Sequence, residues 1–223
     1  TNDTTMEFAA SLNNIGVAAI ELGQYDWALA LLKRAISAKL KDLSSDPAPQ
    51  KVNITEDQEL YLKTASRRLI SMSSNINIVK APQQLSQWNG AFIYQRAVLV
   101  PPQQSLMEMT DSASASAHGS IVLYNLALVH HLKAACNGFR YATTKSAVNL
   151  YKMALELLRD SLHGGKSIPG TTPIIMATLN NLGQLFYELG NLKASRECFA
   201  NLSNTLLSMV KSGQNIYVDK EDW

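Results

Sequence analysis

Small and large core residues recur along this chain at a fixed spacing. Ala28, Leu32 and Ala35 stand four and then three residues apart, and Ala147, Tyr151 and Ala154 repeat the pattern. Ser195, Phe199 and Leu202 repeat it again. Residues three and four apart share one face of a helix, so each series predicts an amphipathic helix. Upstream of each lies a related run. Leu12-Asn13-Asn14-Ile15-Gly16 matches Leu179-Asn180-Asn181-Leu182-Gly183, with Leu123-Tyr124-Asn125-Leu126-Ala127 as a third copy. Glu21-Leu22-Gly23 and Glu188-Leu189-Gly190 follow at the same offset. Glycine suits the left-handed conformation that ends a helix. Each copy is therefore expected to be a helix, a tight turn and an antiparallel helix, over about residues 9–43, 120–160 and 176–211. The small residues Ala28, Ala147 and Ser195 are expected to let the second helix approach the first opposite Gly16, Ala127 or Gly183.

The middle copy is longer. Gly16 to Ala28 and Gly183 to Ser195 each span twelve residues, whereas Ala127 to Ala147 spans twenty. The eight extra residues are expected to enlarge the turn around Asn137-Gly138-Phe139-Arg140-Tyr141. Between the copies, Ser44 to Pro49 reads as a loop. Thr55 and Gln58 form a capping box ahead of a helix over about residues 56–73, with Leu62, Ala65, Leu69 and Met72 on one face. Residues 91–100 are bulky or β-branched around Phe92, Ile93, Tyr94, Val98, Leu99 and Val100, and Pro101-Pro102 stops them, which predicts a short extended, β-like arm. Ile216-Tyr217-Val218 is the other strand-like run and could pair with it. The Ser-Ala alternation from Ser112 to Ala117 has little to bury and predicts a loose loop or the frayed start of the next helix.

These copies resemble the tetratricopeptide repeat family. Its pattern runs large residue, leucine, glycine and aromatic on the first helix, then alanine and aromatic on the second. The last copy fits with Leu179, Leu182, Gly183, Phe186, Ser195 and Phe199. The first departs at Ala19, and the middle carries Ala127 for the glycine and His130 for the aromatic. The copies are irregularly spaced, against a family period of about 34 residues. The resemblance implies one all-α domain over 1–223: an α-solenoid of helix-turn-helix repeats, with the extra helix and arm added. Stacking of the hairpins would then supply the core.

In that family the first helices line a concave groove. Carried over, the lining comprises Asn13, Val17, Tyr124, Leu128, His131, Asn180, Gln184 and Tyr187, while His130 packs in the core. Asn14, Asn125 and Asn181 occupy the same place in all three copies. An asparagine amide offers a donor and an acceptor, so a row of them can pair with the backbone of an extended peptide. The alternative is that these asparagines only satisfy local backbone. Some relatives clamp the acidic carboxyl terminus of chaperones with lysine, arginine and asparagine. Here those places hold Asn13, Val17, Asn125, Ala177 and Asn181, so the cations are missing and that ligand is rejected.

Composition narrows the reading further. Net charge is +2 and aromatics make up 7% of the chain, which disfavours nucleic acid as a partner. Apolar runs are too short for a membrane span. Cys136 and Cys198 read as free apolar side chains. Glycosylation triplets at Asn2, Asn53 and Asn201 are of a kind that arises often by chance. No phosphate loop or nucleophile elbow occurs, and adjacent His130 and His131 point about 100° apart on a helix, so they cannot chelate one metal. No catalytic residue, metal or cofactor is expected. Lys63, Arg67 and Arg68 read as a solvated helix face. The chain opens on Thr1 rather than methionine, which fits an excised fragment, and cytoplasm is only the default compartment.

The expected function is a non-enzymatic scaffold or adaptor that binds another protein or peptide in the groove, as a monomer or weak homodimer. The competing reading is a self-association module whose groove is filled by its own 91–100 segment.

Overall fold

The computed structural model describes residues 2–41, 94–100, 111–163 and 171–211. Among these residues six helices form three antiparallel pairs: α1 (Asn2–Glu21) with α2 (Tyr25–Lys41), α3 (Asp111–Cys136) with α4 (Tyr141–His163), and α5 (Thr171–Glu188) with α6 (Leu192–Lys211). The pairs stack in chain order. α2 packs on α3 and α4 packs on α5, while α3 also touches α1 and α5. This is an all-α repeat solenoid. The expected helix at 56–73, the loop at 44–49, the Lys63 group and the 216–218 run lie outside the described residues.

Three turns of the same construction join the pairs. Gly23 donates to Ile20 O at 2.9 Å and Gln24 to Ala19 O at 2.8 Å. Gly138 and Phe139 donate likewise to Ala135 O and Ala134 O, and Gly190 and Asn191 to Tyr187 O and Phe186 O. Two crossed bonds around a left-handed residue satisfy carbonyls that the helix end would otherwise leave open. The glycines supply that conformation, with φ of 70°, 68° and 73°. In the last turn the Asn191 side chain then accepts from Ala194 N at 3.2 Å, capping α6.

The middle turn is therefore not the enlarged loop the sequence suggested. It holds only residues 137–140 between the helices, against 22–24 and 189–191 in the other pairs. Nearly all the extra residues go into the helices. α3 runs eleven residues beyond Asn125, whereas α1 and α5 each run seven beyond Asn14 and Asn181. α4 begins six residues before Ala147, whereas α2 and α6 begin three before Ala28 and Ser195. About one helical turn has been added to each arm of the hairpin, which leaves the facing pattern in register.

A second correction concerns His131. It lies four residues after Ala127, as Ile20 does after Gly16, and both side chains are buried in the packed interior rather than turned to the groove. His131 is wholly buried, with its ring 6.1 Å from Tyr151 and 6.2 Å from Phe139. His130, expected in the core, is only half-buried near Lys33 and Lys133. The Ser-Ala run follows the second of its two readings, the start of the next helix rather than a loop, because α3 already begins at Asp111.

Close approach within the pairs depends on glycine, though not opposite the small residues as expected. A Cβ on Gly16 would stand 3.0 Å from Leu32 Cγ, and one on Gly183 only 2.8 Å from the Phe199 ring. The large residue of the second helix thus fills the space that the glycine leaves. Ala28, Ala147 and Ser195 are themselves buried, as is Ala127. Cys136 is exposed, Cys198 is buried and both are free.

Candidate functional site

The three first helices share a buried polar row. Asn13, Asn14, Asn125 and Asn181 are all at or near zero exposure. A buried amide without partners costs about 1–3 kcal/mol, so such a row needs something to bond. Its partner is the chain's own segment 94–100, which crosses from α5 to α1 against the order of the array. Residues 94–100 are non-helical, with a single β-bridge position at Val98 and no strand among the described residues, while residues 91–93 and the 216–218 run lie outside the described residues.

The bonding alternates along the segment. Val98 donates its N–H to Asn125 Oδ1 at 2.8 Å, and Asn125 Nδ2 donates to Val98 O at 2.7 Å. Val100 donates to Asn14 Oδ1 at 2.8 Å, and Asn14 Nδ2 donates to Val100 O at 2.8 Å. Each of these two asparagines thus grips both polar groups of one residue, as a neighbouring β-strand would. Tyr124 donates its hydroxyl to Arg96 O at 3.0 Å, and Asn181 Nδ2 donates to Tyr94 O at 3.0 Å. The residues bonded to this row are 94, 96, 98 and 100. A period of two places them on one edge of the segment's backbone.

The asparagines also hold one another. Asn13 Nδ2 donates to Val98 O and to Asn14 Oδ1, both at 3.2 Å, while Asn125 Nδ2 donates to Asn13 Oδ1 at 2.9 Å. Asn181 Nδ2 also donates to the Tyr151 hydroxyl at 2.9 Å. Tyr151 and Tyr124 lie with ring centroids 5.7 Å apart, and burial pushes both phenols up, so they stay neutral. The side chains of Ala97, Val98, Leu99 and Val100 are buried in the same apolar core as Val17 and Leu128.

The remaining residues read as groove lining fall elsewhere. Asn180 donates to its neighbour Asn181 Oδ1 at 3.4 Å. Gln184 donates to Glu188 Oε1 at 2.7 Å on its own helix. Tyr187 is 60% exposed. One neighbour of the row escaped the sequence reading. Glu21, the last residue of α1, lies within electrostatic reach of Arg96. Its burial pushes the carboxyl up to about 7, against the pull of the Arg96 charge. The only signal for it was the repeated Glu-Leu-Gly, which pointed to the turn.

Residues 8–39 match the family model for the tetratricopeptide repeat. The chain carries a tetratricopeptide-type repeat. That match covers α1 and α2, including Asn13, Asn14 and Gly16, and the two later tetratricopeptide-like pairs repeat their geometry. No curated protein and no solved structure matches the chain significantly. Among the described residues no group of three or more His, Cys, Asp or Glu could hold a metal ion, and no helix is long and apolar enough to cross a membrane. Tetratricopeptide repeats are protein-interaction modules, and that coarse function follows for this chain.

Proposed function

We propose that this chain is a non-enzymatic scaffold whose inner trough binds the backbone of an extended polypeptide. The two-sided grip of Asn125 on Val98 and of Asn14 on Val100 carries the reading. Such a grip depends on main-chain groups, which every peptide offers, and only weakly on side chains. In the resting chain the segment at 94–100 takes this place. The module then engages its protein partner either through the trough, after that segment yields, or beside it.

A second reading has the same observation on its side. Because the segment's four residues Ala97–Val100 are buried, the trough can be purely architectural, with no outside peptide ever entering. A pool of random-sequence peptides, presented to the full chain and to Asn125→Ala, separates the two. The scaffold reading expects peptides captured by the native chain and lost with Asn125→Ala. Capture of no peptide at any practical concentration leaves only the architectural role.

A further inference from the structure

We infer that segment 94–100 is a built-in competitor for the trough, and that the outside ligand it excludes is an aliphatic peptide stretch. This rests on the trough being a backbone-binding site. The resident segment spells out what fits. Val98 and Val100 give both N–H and C=O to asparagines, so proline is excluded at either place. Ala97 has no exposed surface, and a larger side chain there would have to open a packed core. The next three places are aliphatic and buried.

The competition follows from the tether. An outside peptide can reproduce these bonds but gains no new ones. The resident segment makes the same contacts within one molecule, where its effective concentration is on the order of millimolar. An outside ligand therefore sees its affinity lowered by the fraction of time that the trough is vacant. Weakening the resident segment without touching the row should raise the affinity for an outside copy of the same sequence. Self-occupation thus sets a threshold, which only a well-matched or locally concentrated ligand passes.

The test uses a fluorescent, end-capped peptide Tyr-Gln-Arg-Ala-Val-Leu-Val, the full chain, and the full chain with Val98→Pro and Val100→Pro together. Fluorescence anisotropy should show the double variant binding the peptide at least tenfold more tightly than the native chain. Peptides carrying Trp at the Ala97 place or Pro at the Val98 place should bind at least tenfold more weakly than the parent. Should the double variant lose its helical circular dichroism, the peptide must restore it. Equal binding to both chains, equal binding of all the peptides, or a double variant that the peptide neither binds nor refolds would each overturn the inference. Hydrogen exchange of the native chain keeps the parent reading separate. A freely exchanging Val98 amide would sink the asparagine grip itself, whereas a protected amide with no peptide exchange sinks only the competition.

Discussion

The two ends of the asparagine row hold the crossing segment in different ways. Toward α1, Asn14 and Asn125 each take both the N–H and the C=O of one residue, matching donor to acceptor on both sides, while Asn13 braces the two amides. Toward α5, Asn181 divides its donor group between Tyr94 O and the hydroxyl of Tyr151 and takes only one backbone group of the segment. The first arrangement fixes register, since a slip of one residue would turn both amides toward the wrong edge. The second anchors direction but tolerates sliding. A row that looks uniform in sequence is therefore a clamp at one end and a guide at the other.

Breaking the clamp should matter most. Asn125→Ala removes three acceptor or donor roles and leaves Asn13 and the Val98 backbone without their partner. A loss of about 2–4 kcal/mol is expected in urea unfolding, from several buried groups left unmade. Asn14→Ala should cost less, about 2 kcal/mol, because it strands only Val100 and one Asn13 contact. Asn181→Ala, at the guide end, should cost about 1 kcal/mol and leave the Val98 and Val100 amides protected in hydrogen exchange. If Asn181→Ala proved as costly as Asn125→Ala, the contrast between the ends would be gone.

The smallest effect concerns pH, and two groups oppose each other. Glu21 is raised by burial from 4.5 to about 7, so between those values the folded chain holds a proton that the unfolded chain has lost. Its contribution to stability falls as pH rises through that window. His131 is lowered by burial from 6.5 to about 3, so the unfolded chain takes up the extra proton and stability falls as pH drops through that range. Urea midpoints measured from pH 4 to 8 should show a shallow maximum. Glu21→Gln should flatten its neutral side and leave the acid side unchanged.

Much of the row was legible beforehand because Asn14, Asn125 and Asn181 keep one offset from the shared core residues. The pairing of helices and the turn glycines Gly23 and Gly190 were legible for the same reason. What sits on the row was harder to read. Asn14 and Val100 are 86 residues apart, and no local periodicity connects them. Within the 91–100 run, residues 94–100 are non-helical as expected and lie on the row, but nothing in their own pattern pointed to side-chain amides as partners. His131 was misplaced because it was assigned to the groove, although Ile20, at the same step of four in the first copy, is an apolar residue and is buried as well. Gln184 bonds Glu188 on its own helix and Tyr187 is exposed.

The reverse crossing changes how such a molecule can be assembled. Stacked repeats usually behave as a one-dimensional series in which each unit needs only its neighbours. Here residue 94 is bonded by α5 and residue 100 by α1, so one short stretch of backbone ties the first unit to the third. The long loop closures this demands come at an entropic cost before any bond repays them. The chain should consequently melt in a single cooperative step, and its first pair should remain unfinished until the fifth helix has been made.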